Sequence, residues 1–308
     1  MAAGSSLHPA LQSPVRWPSE AIWQAVEPSL PGFTVEVLPE IDSSNSELMR
    51  RFRGSPGIAP QAEPVLLVAE QQTAGRGRQG RSWQSRRGAS LSFSLGMALN
   101  PSDWSGLSLV VGISLAESLD PKAAHIGLKW PNDLWMPHRQ GQPAAATHRK
   151  LGGILVETAH RDGQRYVVVG VGLNIEPTTL PAAAEPSAAT LPIASAAAAV
   201  PAGCLQELDP AADAASSLLQ VVPALVHNIL AFERFGFAAF QSRFAQRDVL
   251  AGREVQVLGG PDTAVRGSAH GVGENGALLV HTPAGMKAIT SSEISIRPIT
   301  AGLGTASC

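Results

Sequence analysis

The chain has 308 residues, 44% of them hydrophobic, and a formal net charge of −2. That length accommodates one large domain with a sizeable core plus a small one. The near-neutral charge argues against a general nucleic-acid binder, and no segment reaches the roughly 18–20 uncharged apolar residues needed to span a bilayer.

Residues 1–31 are rich in Pro, Ser and Ala and read as an N-terminal extension, with one short helix opening at Pro18-Ser19-Glu20-Ala21-Ile22-Trp23. Phe33 to Leu38 alternates as a strand. Asp42-Ser43-Ser44-Asn45-Ser46 is polar and suited to cap a helix through Glu47-Leu48-Met49-Arg50. Residues 54–64 read as a Gly/Pro loop, and strands follow at 65–70 and 90–99. Gly106 to Leu119 is apolar at helical spacing. Gly127-Leu128-Lys129-Trp130 is a strand that Pro131 ends. Residues 137–149 read as a loop. A hairpin follows, Lys150–Thr158 with Arg165–Gly172, turning at Asp162-Gly163.

Residues 177–212 are mostly Ala, Pro and Ser and read as a variable, partly disordered insertion. A helix or helix pair spans Ala214 to Arg247. After Gly252 come short β segments at 253–258, 264–273, 276–281, 286–290 and 293–297, the pattern of a small β-barrel. The expected organisation is a catalytic domain over 32–248, a barrel over 249–299 and a tail over 300–308. Cys204 and Cys308 stand far apart, and Met1-Ala2-Ala3-Gly4 does not open a secretory signal. Reduced thiols in the cytoplasm are therefore expected.

Four segments carry chemistry. Gly75-Arg76-Gly77-Arg78-Gln79-Gly80-Arg81-Ser82-Trp83 packs three glycines and three arginines into seven residues before a tryptophan. Glycines admit close backbone approach, and arginines present planar charged forks to phosphate or carboxylate. A solvated basic loop would look the same. Lys129-Trp130-Pro131-Asn132-Asp133-Leu134 sets a cation, an amide and a carboxylate at a strand exit. Asn132 and Asp133 offer oxygens to Mg²⁺ beside a triphosphate, although a strand end with an Asn-Asp turn and a core tryptophan is the more ordinary reading of this segment alone. Lys150-Leu151-Gly152-Gly153-Ile154-Leu155-Val156-Glu157 places a lysine before a glycine pair, as a point charge or a bulge-side surface lysine. Val169-Gly170-Val171-Gly172-Leu173-Asn174-Ile175 leaves one strand face bare, for a flat ligand or for close strand packing.

In this order, with Ser43-Ser44-Asn45 ahead of them, the segments resemble the biotin protein ligases. The family pattern is S-[ST]-N, GRGRxGRxW, KWPND, K-x-x-G-I-L-x-E and G-x-G-x-N, and the resemblance covers roughly residues 33–298. It implies an α+β fold: a mixed β-sheet with helices, class II synthetase-like, followed by a small C-terminal SH3-like barrel. It implies activation of biotin with MgATP to biotinyl-5′-AMP, then transfer to a lysine on the biotin carboxyl carrier protein of acetyl-CoA carboxylase or a similar carboxylase. By the resemblance, Ser43, Ser44, Asn45 and Gln72 would bind the ureido ring. Arg76, Gly77 and Arg78 would close over the adenylate, and Lys150 would meet the carboxylate. Gly153, Gly170 and Gly172 would line the pocket. Lys129, Asn132 and Asn174 would face the nucleotide, with Asn132 a Mg²⁺ contact and Trp83 packed on adenine. Such chemistry needs fixed cations and no enzyme nucleophile. Asp133 is the candidate to orient the acceptor lysine or take its proton.

Only about thirty residues precede the first core strand, too few for a helix-turn-helix domain. The expectation is a ligase without repressor function, specific DNA site or membrane partner; pairing into a homodimer through a sheet edge is left open. A lipoate-protein ligase would share the fold but lack GRGRxGRxW.

Overall fold

The structure is a computed structural model and describes residues 15–55, 57, 61–137, 148–177, 201–258, 265–290 and 295–298. Helix α1 (Ser19–Val26) leads to β1 (Thr34–Leu38), α2 (Ser44–Arg53), β2 (Val65–Ala69), β3 (Ser90–Ala98) and α3 (Leu107–Leu119). Then come β4 (Gly127–Lys129), β5 (Asp133–Pro137), β6 (His148–Arg161), β7 (Gln164–Asn174), α4 (Ala214–Phe235) and α5 (Gln241–Ala245). Strands β8 (Glu254–Leu258), β9 (Val265–Val272), β10 (Leu278–Thr282), β11 (Gly285–Ile289) and β12 (Ser295–Pro298) complete the described chain.

The first seven strands form one mixed sheet in the order β1-β2-β3-β7-β6-β5-β4, parallel only between β1 and β2. Strand alternation explains its two faces. Leu91, Phe93, Leu95 and Met97 of β3 join Val167, Val169, Val171 and Leu173 of β7 in a large core with α1, α3 and α4. The opposite face packs Leu48, Met49 and Phe52 of α2 against Val65, Leu67, Tyr166 and Val168. Burying each such side chain contributes about 1.5–3 kcal/mol. Gly96 is a glycine because the Phe52 ring takes the place of its Cβ.

Helix α4 is long and apolar enough to cross a membrane by length and composition alone, which the sequence reading did not anticipate. Leu218, Val221, Val222, Leu225, Ile229 and Phe232 bury its apolar stripe in the core. It is the central helix of this domain.

Three expectations change. Strand β5 went unforeseen because Pro131 reads as a stop; the chain instead reverses over Trp130-Pro131-Asn132, pairing Lys129 with Asp133. Residues 201–212, read as the end of the insertion, are packed on the strands beside them and not disordered. Lys150 N–H donates to Pro201 O at 2.8 Å, Gly203 N–H to Lys150 O at 2.9 Å, and Gln206 N–H to Ile175 O at 3.0 Å. Arg149 and Glu207 form a 2.6 Å ion pair beneath them, and the free Cys204 is buried. Backbone pairing of this kind leaves no mark on an Ala/Pro-rich composition. The C-terminal strands form an antiparallel sheet in the open order β11-β10-β9-β8-β12. The loop expected at 137–149 largely, and the insertion over 178–200 wholly, lie outside the described residues, as does Cys308.

The C-terminal sheet docks beside β4. Trp130 Nε1 donates to Gly276 O at 3.0 Å, Gln241 Nε2 donates to Val272 O at 2.6 Å, and Leu128 and Arg247–Val249 exchange backbone bonds at 2.7 and 3.1 Å. Asp248 sits in this seam. Burial raises its carboxyl from 3.8 to about 6, against the opposing amides of Leu250 and Ala251, and its Oδ2 is buried without a hydrogen-bond partner. An acid whose folded pKa is raised holds its proton more tightly in the folded state. Stability therefore falls as pH rises from about 4 to about 6, and the cost persists above that. Asp248→Asn is neutral at every pH. Thermal denaturation should show its midpoint roughly 3–6 °C above that of the parent at about pH 8, the gain shrinking towards pH 4. A gain of equal size at both ends would exclude the carboxylate charge as its cause.

Candidate active site

Bare stretches of the α2 face of the sheet make the site. Cross-strand register places Ser94, Gly170 and Leu155 in one row, and Ser92, Gly172, Gly153 and Asp133 in the next. Serine and glycine leave a trough there, deep enough for other groups to enter. A Cβ on Gly170 would overlap the Asn45 amide, and one on Gly172 would overlap the Trp83 indole. The resulting cleft encloses about 140 Å³, roughly tenfold what one water needs, so it is sized for a ligand.

The N-terminus of α2 closes one end. Ser43 caps the helix by accepting from Ser46 N–H at 3.3 Å. Gln72 Oε1 accepts from Ser44 N–H at 2.8 Å and Ser44 Oγ at 3.2 Å. Asn45 Oδ1 accepts from Ser94 Oγ at 2.7 Å, while Asn45 Nδ2 donates to Leu155 O at 3.3 Å and Glu157 Oε2 at 3.0 Å. Ser43, Ser44 and Asn45 are all buried. The network holds donors and acceptors in fixed directions, which suits a small polar heterocycle. Arg50 braces the helix entry, reaching Asp42 at 2.8 Å and Glu47 at 2.7 Å. The hydrogen bonds from Arg50 outweigh burial and hold the Asp42 carboxyl below its ordinary range.

The arginine-glycine segment folds over the trough. Arg76 bridges to Ser82, Gly77 N–H donates to Arg81 O at 2.7 Å, and Trp83 N–H donates to Gly75 O at 2.8 Å. Gln79 and Gly80 turn the tip with φ of 56° and 69°. Trp83 lies against Gly172 with Nε1 donating to Ser92 Oγ at 3.1 Å. Arg78 faces the cleft. Burial lowers its pKa, partly countered by Asp133 and reinforced by Arg81; an arginine remains charged there.

At the far end a β-bulge aims Lys150. Strand β5 pairs Leu134 with Gly152 and Trp135 with Lys150, so Leu151 is the extra residue. Regular alternation from Gly153 would turn Lys150 away from the trough; the bulge returns it to the Gly153 side. Its Nζ then meets Asp133 Oδ1 at 2.7 Å, and Lys129 Nζ stands 4.0 Å from the other oxygen. Asn132 Nδ2 donates to Ile154 O at 2.8 Å and its main-chain O accepts from Ile154 N–H at 2.9 Å, so the side-chain Oδ1 is the oxygen it can offer to the cleft. No group of three or more His, Cys, Asp or Glu side chains able to hold a metal occurs among the described residues.

Residues 44–174 match the biotin/lipoate A/B protein ligase family, and residues 251–297 match the biotin protein ligase C-terminal domain. The chain is 33% identical over 272 residues to the bifunctional ligase/repressor BirA of Escherichia coli strain K12, covering 87% of this chain and 75% of that protein. It is 27% identical over 266 residues to the biotin acetyl-CoA-carboxylase ligase of Paracoccus denitrificans, covering 84% and 98%. The solved structure of the biotin protein ligase from Aquifex aeolicus in complex with biotin and ATP superposes with a TM-score of 0.65 at 28% identity, covering 86% of this chain and 99% of that one. The chain belongs to the biotin protein ligase family.

Of the residues that the resemblance assigned to this ligase site, together with Asp133, all but Asn174 line the cleft. Asn174 stands at the end of β7, where its Nδ2 donates to Lys150 O at 3.3 Å and Gly203 O at 3.0 Å. It fixes the backbone that carries Lys150. Ser92, Ser94 and Glu157 went unassigned. The serines were legible in the Ser90-Leu91-Ser92-Phe93-Ser94 alternation, and Glu157 as the last residue of its motif.

Gly170→Ala tests the trough. Its methyl group would displace the Asn45 amide, and biotin affinity measured by calorimetry should fall at least about tenfold. Unchanged affinity would show that Asn45 does not shape the ligand site.

Proposed function

We propose that this enzyme activates biotin with MgATP and passes it to a lysine on a biotin carboxyl carrier protein. The observation that carries this reading is the meeting, in one trough, of a fixed polar reader at the α2 N-terminus and a cluster of cations around Asp133. Ser43, Ser44, Asn45 and Gln72 take the ureido ring. Gly170 and Gly172 make room for the Asn45 amide and the Trp83 indole beside the bicyclic body, and Gly153 keeps the floor next to Lys150 low. Lys150 and Arg78 draw the biotin carboxylate and the α-phosphate together, against the repulsion of two anions. A carboxylate oxygen bonds to the α-phosphorus as pyrophosphate leaves with the electron pair of the broken bond.

Lys129 and Asn132 lie on the nucleotide side of this arrangement, and the Asn132 side-chain Oδ1 is the protein ligand offered to Mg²⁺. A sparse protein donor set suits this ion, which keeps several waters and phosphate oxygens. Bound with ATP, it neutralises phosphate charge. In the second step the neutral acceptor amine attacks the acyl carbon, AMP departs with the electron pair of the acyl–oxygen bond, and the surplus proton on nitrogen passes to the departing phosphate. Asp133 already faces two ammonium groups, so it serves by orienting an incoming lysine nitrogen more than by holding its proton. The lid, with Arg76, Gly77 and Arg78, keeps water from the mixed anhydride until the carrier docks, and Trp83 moves onto the adenine.

The C-terminal sheet corresponds in this reading to the family's SH3-like barrel, set beside the nucleotide through Trp130. Transcriptional repression is not assigned. The one helix ahead of β1 among the described residues, α1, packs Ile22 and Val26 into the core of the large sheet. The free, buried Cys204 fits a reducing compartment such as the cytoplasm.

Pyrophosphate release from ATP, followed with biotin, lipoate and octanoate side by side, tests the substrate. Biotin alone should support turnover; equal turnover with lipoate would assign the chain to the other branch of its family. Lys150→Ala should cut the biotin-dependent rate roughly a hundredfold or more. An unaltered rate would remove Lys150 from the chemistry.

A further inference from the structure

Glu157 lies on β6 one alternation beyond Leu155, outside the cleft lining, with a side chain 21% exposed. Both of its oxygens are engaged. Oε2 accepts from Asn45 Nδ2 at 3.0 Å, and Oε1 accepts from Arg76 Nη2 at 3.1 Å. Arg76 Nη1 reaches Oε2 at 3.5 Å and donates to Ser46 Oγ at 3.1 Å. One carboxylate therefore serves the ring reader and the root of the lid.

Its chemistry explains why a carboxylate stands there. An ionised carboxylate only accepts, so Asn45 must turn its NH₂ towards Glu157. That fixes the other end of the amide, Oδ1, on Ser94 Oγ at 2.7 Å, above Gly170. A neutral amide at 157 could donate or accept and would not impose that orientation. The same negative charge pulls Arg76 down beside Ser46 in the first turn of α2, at the point where the lid leaves the body and bridges back to Ser82.

We propose that Glu157 is the latch coupling the lid to the ring reader. It is a positioning residue that does not touch substrate: it sets the amide orientation of Asn45 and the root of the arginine-glycine lid together, so that ordering one favours the other. The ligands named here rest on the biotin ligase reading; the latch is a property of the protein alone.

Limited trypsin digestion of the full chain tests it, because Arg78 and Arg81 at the lid tip are cleavage sites. Partly exposed ion pairs contribute little individually, so the expected effects are moderate. Without ligand, Glu157→Gln and Arg76→Gln should each raise the initial rate of cleavage after Arg78 or Arg81 about fivefold. The double variant should cleave no faster than either single one, and each single variant should raise the KM for biotin more than it lowers kcat. Parental cleavage rates in Glu157→Gln, or effects that multiply in the double variant, would overturn the latch. Should Glu157→Gln fail to melt cooperatively, Glu157→Asp, which keeps the charge but shortens its reach, must show the same faster cleavage. Biotin with MgATP should protect the parent chain. Loss of that protection alone would sink the ligase reading and leave the ligand-free comparison standing.

Discussion

The absence of side-chain bulk along a short stretch of β3, β6 and β7 governs the rest of the site. Ser92, Ser94, Gly153, Gly170 and Gly172 share one face, while the residues between them fill the core on the other. A sheet face left this bare has its backbone paired within the sheet but offers nothing to fill the space above it, so other groups must pack there. The α2 N-terminus and the lid supply them: Asn45 over Gly170, Trp83 over Gly172, and Lys150 beside Gly153. Each covering group is polar or amphipathic, so the surface that closes the trough also reads a ligand.

Electrostatics then divides the trough in two. Around α2 the charges are paired off among Asp42, Glu47, Arg50 and Arg51, leaving neutral hydroxyls and amides to face inward. Around Asp133 the balance is positive, with Lys129 and Lys150 on one carboxylate and Arg78 nearby. A ligand with a neutral polar head and an anionic tail has one orientation that satisfies both ends. Trp130 ties this cationic end to the C-terminal sheet through Gly276, so the small sheet helps to fix the strand reversal that carries Asn132 and Asp133.

Much of this was legible in the sequence because the chemistry is written in short contiguous runs. Gly75–Trp83, Lys129–Asp133, Lys150–Gly153 and Gly170–Gly172 each deliver several neighbours to the cleft, and alternation along β3 and β7 is a local signal. What stayed hidden depends on relations between distant segments. Residues 201–212 pack by backbone bonds to Lys150 and Ile175, which composition does not encode. Asn174 belongs to a motif of site residues yet spends its amide on holding backbone. Glu157 matters through Asn45 and Arg76, more than eighty residues away in the chain. Strand β5 was masked by a proline that turns the chain without ending the sheet.

The bulge at Leu151 has a bearing on how this protein can change over evolutionary time. Lys150 and Gly153 stand three positions apart, so they share a side of the sheet only while the strand is bulged between them. Losing the codon for Leu151 would leave Lys150 two positions from Gly153, so a straightened strand would still turn the ammonium group towards the trough, with one apolar side chain lost from the core. Substitutions at Leu151 need only preserve an apolar side chain for the core. Around the cleft's principal lysine, the bulge and the residue count can therefore change only together: straightening the strand without a deletion is what would turn the ammonium group away.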